Sequence, residues 1–233
     1  MNRLIPKIQA LLVLLLFFTA CSLIISCSGK NYKNSLTEQH LNGKVKSLTE
    51  TTYPTDKSGR ISDTSFLEKI SYRYDSQGNK IEEVHYYPDS VSDLITFKYN
   101  QGGKKVEKRW KDTINELDHL ATFRYDKDGN KIEQKWSDKN GSLLKTATYS
   151  YDENGNQIAE EMISSEDSLN ERLTFRYDNN HKLIEENSYN ANDSITHRYT
   201  FKYLEFDRTG NWLKRLQFEN NLPIRITIRG IEY

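Results

Sequence analysis

The stretch Ala121-Thr-Phe-Arg-Tyr125-Asp126-Lys-Asp-Gly129-Asn130-Lys-Ile-Glu133 decides the fold, because its pattern returns about every 26 residues along most of the chain. Tyr74-Asp75-Ser-Gln-Gly78-Asn79 and Tyr151-Asp152-Glu-Asn-Gly155-Asn156 repeat its centre. Tyr99-Asn100-Gln-Gly-Gly103, Tyr177-Asp178-Asn-Asn-His181 and Phe206-Asp207-Arg-Thr-Gly210-Asn211 are degenerate copies. Such a period means an array of one supersecondary unit. Before each Tyr-Asp, apolar and polar residues alternate, as in Ile70-Ser-Tyr72-Arg-Tyr74, which is the period of a strand with one buried face. Asp-x-x-Gly-Asn is turn chemistry, since Asp bonds its own backbone and Gly and Asn tolerate positive φ. A second strand follows in Lys80-Ile-Glu-Glu and Lys131-Ile-Glu-Gln, so each unit reads as a β-hairpin.

A four-residue loop sets Tyr74 opposite Ile81 and Arg73 opposite Glu82. The same register sets Lys98 against Glu107, Arg124 against Glu133 and Arg176 against Glu185. In the remaining copy those positions hold Ser150 and Ala159, so both charges vanish together. A three-residue loop with a Gly bulge would set Arg73 against Ile81, and a one-residue slip turns every side chain over, so the longer loop is preferred. Further out, Ile95 meets Trp110, Ala121 meets Trp136 and Ala147 meets Met162. Polar connectors at 88–93, 137–141, 164–168 and 190–194 turn the chain back antiparallel. The expectation is all-β: an antiparallel meander of tandem hairpins, with an early strand at 45–53, a longer loop at 54–64 and a terminal capping strand at 224–229. Curling over the aromatic side gives an open half-barrel, a closed barrel or a spiral.

Residues 1–27 read as a lipoprotein signal peptide, 28–42 as a polar leader and 43–233 as a single repeat domain. Arg3 and Lys7 precede an uncharged stretch rich in Leu and Phe, the make-up of an export signal. Cys27, preceded by Ile24-Ile-Ser26 and followed by Ser-Gly-Lys, resembles the modified cysteine of a bacterial lipobox, and Cys21 is the alternative. An uncleaved transmembrane anchor is the competing reading of the same segment. Without the signal, 31 basic residues face 33 acidic ones. That interleaved balance is no footprint for nucleic acid, nor for a polybasic membrane patch. Fifteen Tyr, nine Phe and three Trp suit half-buried strands.

The Tyr-Asp-x-x-Gly-Asn phrases resemble the YD repeats of the Rhs family of bacterial cell-surface and toxin-delivery proteins, over residues 66–218. The copy at Gln101-Gly-Gly103 lacks the Asn, and Asn180-His181 stands in place of Gly-Asn. The resemblance implies an envelope protein with a β-hairpin array and a carbohydrate-binding role. With a lipobox, the short chain also looks like small repeat lipoproteins of gut-type Gram-negative bacteria. That places it in the cell envelope, lipid-anchored at the outer membrane.

No nucleophile motif, phosphate loop or zinc spacing is present, so neither a cofactor nor a metal is expected. His40, His85, His119, His181 and His197 lie in different repeats and read as surface or strand residues. The turn Asp residues superficially suggest calcium, but the closing bidentate Glu of an EF-hand is missing. Glu82-Glu83, Glu160-Glu161 and Glu185-Glu186 read as solvated cross-strand partners, because neighbours on a strand point to opposite faces. Trp110, Trp136 and Trp212 are candidate sugar platforms against a plain core role, and Tyr86, Tyr87 and Tyr189 are weaker candidates near the connectors. The leading expectation is a non-catalytic envelope lipoprotein presenting a surface to a glycan or a protein. The alternative is an assembly part that adds strands at exposed sheet edges, and a glycan hydrolase comes third.

Overall fold

The computed structural model describes residues 33–88, 90–112, 117–165 and 169–233, so Cys21 and Cys27 lie outside the described residues. A single helical turn, α1 (Ser35–Glu38), precedes fourteen strands: β1 (Ser47–Pro54), β2 (Glu68–Tyr74), β3 (Lys80–Tyr87), β4 (Ser90–Tyr99), β5 (Lys105–Asp112), β6 (Leu117–Tyr125), β7 (Lys131–Ser137), β8 (Leu143–Tyr151), β9 (Gln157–Ser164), β10 (Leu169–Tyr177), β11 (Leu183–Tyr189), β12 (Ile195–Phe206), β13 (Trp212–Glu219) and β14 (Leu222–Glu232). Each pairs antiparallel with its neighbour in sequence, and β14 pairs with β1 from Ser47↔Glu232 to Pro54↔Arg225. The meander is therefore a closed barrel, not an open sheet or a spiral. The terminal strand does not cap an array; it closes the ring, because its backbone groups find partners on β1 as well as on β13.

The hairpin turns follow from one carboxylate. Asp75 Oδ1 accepts from the backbone N–H of Gln77 and Asn79, both at 2.9 Å, and Oδ2 accepts from Asn79 Nδ2 at 3.1 Å. Asp75 N donates to Asn79 O and Gly78 N to Asp75 O, so three residues form the loop, with Gly78 at φ 82°. Tyr74 consequently faces Lys80, not Ile81, and the ladder resumes with Arg73 opposite Glu82. The expected charge pair is there, but the route differs. A three-residue loop slips the register by one and a bulged Ile81 slips it back. The same jump recurs between Tyr99↔Lys105 and Lys98↔Glu107, and in the hairpins of Tyr125, Tyr151 and Tyr177.

Successive hairpins are joined through their tyrosines. Tyr99 Oη donates to Lys80 O at 2.8 Å, Tyr125 to Lys105 O at 3.0 Å, Tyr151 to Lys131 O at 2.9 Å and Tyr203 to Leu183 O at 3.0 Å. Each such bond contributes about 1 kcal/mol net and leaves a buried carbonyl satisfied. The segment 33–42, read as a leader, crosses the ring of turns at this end of the barrel. Leu36 N donates to Gly78 O, Lys33 Nζ to Gly155 O, and Asn42 and Asn211 exchange hydrogen bonds. Leu36 and Leu41 pack with Val45, Leu48, Tyr72 and Tyr74 into the apolar cluster beneath it.

The outer wall is charged. Arg73–Glu82, Lys98–Glu107, Arg124–Glu133 and Arg176–Glu185 are ion pairs at 2.6–3.6 Å whose basic members are exposed. The loop after β1 folds over the wall, with Gly59 against Leu216 and Pro223, and Leu216 and Ile226 are buried.

Gly78 and Gly103 occupy the same turn position at φ 82° and 76°, but a Cβ on Gly78 would meet Asn34 and Leu36 at 2.7 and 3.0 Å, whereas none on Gly103 would meet anything. Both alanine variants bear the positive-φ cost of about 1–2 kcal/mol. Only Gly78→Ala must also push aside the Asn34 amide and a Leu36 methyl, side-chain ends of the crossing segment, so in thermal denaturation it should melt slightly below Gly103→Ala; a higher midpoint would contradict the docking of 33–42.

Candidate functional site

The bulge determines what enters the lumen. By bringing Lys80 opposite Tyr74 it turns the first residue after each turn inward and lets the following aliphatic residue leave the ladder; Val106 and Ile158 are exposed. Lys80, Lys105 and Lys131 thus form an inward row on alternate strands, continued by Gln157, Leu183 and Trp212. Three residues on, a second inward position usually supplies an acceptor. Lys80 pairs with Glu83 at 2.8 Å, Lys131 donates to Gln134 at 3.2 Å and Gln157 to Glu160 at 3.4 Å. On β5 that position is Lys108, a second cation. The ammonium groups of Lys80, Lys105 and Lys108 stand 5.6, 5.3 and 6.0 Å from the centre of Phe97.

Burial and charge shape this wall. Burial opposes the charge on Glu83, yet the His85 hydrogen bond and the Lys80 charge hold its carboxyl well below the usual range. Burial, then the charge of Lys105, pushes the Lys131 amine down to about 8, and Lys131 lies 3.8 Å above the Tyr149 ring. Further along the same wall, on β9 and β11, burial raises both Glu160 and Glu186.

Two cavities lie beneath the crossing segment. One, of about 370 Å³, is lined by Lys33, Glu38, His40, Lys105, Lys131 and Tyr151 among others, and the second, of about 610 Å³, by Glu50, Tyr177, Tyr203, Trp212, Arg215 and Arg229 among others. His40 and His181 border both and stack at 5.9 Å. His181 takes the turn position that Gly holds elsewhere, at φ 59°, and His40 is also left-handed at φ 51°. Non-glycine residues held in that region carry strain that is offset elsewhere. Here the stacking and a 3.0 Å bond between His181 Nδ1 and Asn156 Oδ1 offset it. Asn130, on the smaller cavity, gives its amide to Asp126 and leaves its buried Oδ1 without a partner.

The structure does not gather the residues read as sugar platforms. Trp110 and Trp136 face inward on β5 and β7, opposite buried Ile95 and Ala121. Trp110 meets the His119 ring edge-on at 5.9 Å with its Nε1 buried and unpartnered, and Trp136 carries Lys145 at 4.9 Å. Trp212 lies on the larger cavity with the guanidinium of Arg229 3.4 Å from its ring centre. Tyr86 and Tyr189 are on the outer wall beside Lys69 and Arg172, and Tyr87 donates to Asp93. The glutamate doublets need correction. One member of each, Glu82, Glu161 or Glu185, faces out, but Glu83, Glu160 and Glu186 face the lumen, because the bulge reverses the strand's parity at that point. His85 is a strand residue of β3, as read, and bonds Glu83 at 2.8 Å, whereas His40, outside the strands, lines both cavities. Among the described residues no cluster of His, Cys, Asp or Glu suits a metal. The turn carboxylates are occupied by backbone N–H groups.

Lys131 is surrounded by Lys105, Lys108, Glu38 and Glu160. In the unfolded chain its amine titrates near its ordinary 10.5, so between pH 8 and 10 the unfolded state holds the extra proton and stability rises with pH. Burial raises Tyr72, Tyr74 and Tyr149 above their ordinary 10.0, so beyond that pH the unfolded chain sheds protons the fold retains and stability falls. Denaturation followed against pH should therefore peak between about pH 9 and 10. Lys131→Gln should flatten the rising limb and gain up to about 3 kcal/mol at pH 7; a wild-type midpoint falling steadily from pH 7 would contradict this.

No protein-family model matches the sequence, and neither does any curated protein sequence. Among solved structures the chain is similar to a porin-like protein from Bacteroides uniformis, at 11% identity over 82% of this chain and 98% of that one, with a TM-score of 0.50. A porin-like protein from Bacteroides vulgatus gives 14% identity over 81% and 98%, also with a TM-score of 0.50. The TcdB2-TccC3 structure matches 76% of this chain but 10% of its own, with 19% identity and a TM-score of 0.32. At these identities the first two likenesses establish the barrel fold alone.

Proposed function

We propose that the protein is a non-catalytic, lipid-anchored envelope module of the YD-repeat kind whose barrel takes up a glycan. The observation that carries this reading is the lumen itself, where aromatic rings alternate with charged and amide side chains around two cavities beneath the crossing segment. Rings supply an apolar body for a pyranose, and the polar groups between them supply hydroxyl partners. The outer wall supports an anchor over an embedded barrel. A lipid-facing band bearing Arg73, Lys98, Arg124 and Arg176 would cost about 2–4 kcal/mol for each basic residue at mid-membrane. The barrel therefore stands in water, and attachment falls to the lipid on Cys27, or on Cys21.

Strand addition loses its template, since every strand among the described residues is paired on both sides. A hydrolase keeps one feature, the lumenal pair Glu160 and Glu186. Burial moves both in the same direction, whereas glycoside hydrolysis needs one carboxyl protonated and its partner ionised.

The full chain, solubilised and applied to a glycan array, should retain at least one glycan, and Trp212→Ala, which removes a ring from the larger cavity, should weaken that binding about tenfold or more, as loss of a stacking ring does, while still melting cooperatively. Absence of any bound glycan ends the sugar reading. For the anchor, Cys27→Ala should abolish uptake of labelled palmitate; continued labelling would move the lipid to Cys21.

A further inference from the structure

We propose that the smaller cavity, between the crossing segment and the Lys105–Lys131 wall, is a site for a small hydroxylated molecule bearing a carboxylate or phosphate group, the chemistry of a uronic acid or a sugar phosphate. The inference deepens the glycan reading by specifying its charge, and anion recognition stands apart from it.

Three features of the wall point the same way. The first lies just outside the cavity lining, on β5, where Lys108 replaces the acceptor that Glu83, Gln134 and Glu160 provide in the adjoining copies. The second is charge balance. Glu83 pairs with Lys80 and Glu38 with Lys105, but among the described residues no carboxylate lies within ion-pair distance of Lys33, Lys108 or Lys131. Cations held together in a partly desolvated wall repel one another, and a bound anion removes that cost as well as adding charge-assisted hydrogen bonds. Burial first, and then the charge of Lys105, lowers the Lys131 amine in this wall. The third is the buried Asn130 Oδ1, an acceptor with no donor. Its orientation is fixed by the Asn130 amide bonding Asp126 at 3.0 Å, and a ligand hydroxyl is the group that would satisfy it. A space of about 370 Å³ accommodates a monosaccharide with one anionic substituent.

Titration calorimetry of the full chain in detergent at pH 7 would use glucuronate, glucose 6-phosphate, inorganic phosphate and glucose as probes. Glucuronate or glucose 6-phosphate should bind at least tenfold tighter than glucose. Lys131→Gln and Lys105→Gln should each weaken that binding about tenfold, the scale of one charge-assisted hydrogen bond. Lys98→Gln, on the outer wall, should leave it unchanged. Replacing Lys131 relieves a buried charge, so that variant should melt no lower than wild type, and lost binding is then not lost folding. The proposal is overturned if the anionic probes bind no better than glucose, if nothing binds, or if both lumenal variants bind as wild type does. Glucose binding as tightly as glucuronate would leave the glycan reading standing without this one. Inorganic phosphate matching the sugar phosphate would keep the anion site and remove the sugar.

Discussion

The structure depends on how the turn aspartate spends its two carboxylate oxygens. In Asp75, Asp126, Asp178 and Asp207 one oxygen takes two backbone N–H groups, closing a loop of fixed length. That length puts the strands one residue out of step, the bulge restores step, and the bulge decides which side chains enter the lumen. The tyrosines that open three successive turns, Tyr99, Tyr125 and Tyr151, then fasten one hairpin to the previous one through a strand-end carbonyl. Turn, register, lumen chemistry and neighbour contact are thus consequences of a single local hydrogen-bonding choice, repeated.

A ring of fourteen strands encloses more space than one apolar face can fill. The protein resolves this by filling part of it with paired charges and long lysine stems laid over rings, as Lys80 lies over Tyr72 at 4.4 Å and Arg215 over Phe201 at 4.7 Å. Stems bury their methylenes while their heads find carboxylates, amides or cavity solvent. Where the partners run short, around β5 and β7, charge is left for something else to complete.

The hairpins, the outer ion pairs and the facing of Ala121 by Trp136 were legible because alternation and charge covariation between copies are local signals. The lumen was not legible, and one residue explains why. Reading Ile81 as the partner of Tyr74 places Ile inward and Lys80 outward; a bulge inverts that parity without altering any pair beyond it. Arg73–Glu82 is satisfied by either route, so the charge pairs that fixed the register carried no information about the bulge. The crossing segment was equally hidden. Its contacts are with backbone atoms of distant turns, such as Gly78 O and Gly155 O, and a carbonyl looks the same in every sequence.

Ser47 and Glu232 are hydrogen-bonded across 185 positions of chain, so the residues of β14, the last strand of the ring, are those that eliminate both raw edges. Until they arrive, a nascent chain can assemble hairpin after hairpin and still expose two unpaired strand borders, the state most open to sticking to its neighbours. Contacts of such range form late and slowly. Loss of β14 would consequently not trim the molecule but unzip it, turning a self-contained ring into an adhesive ribbon.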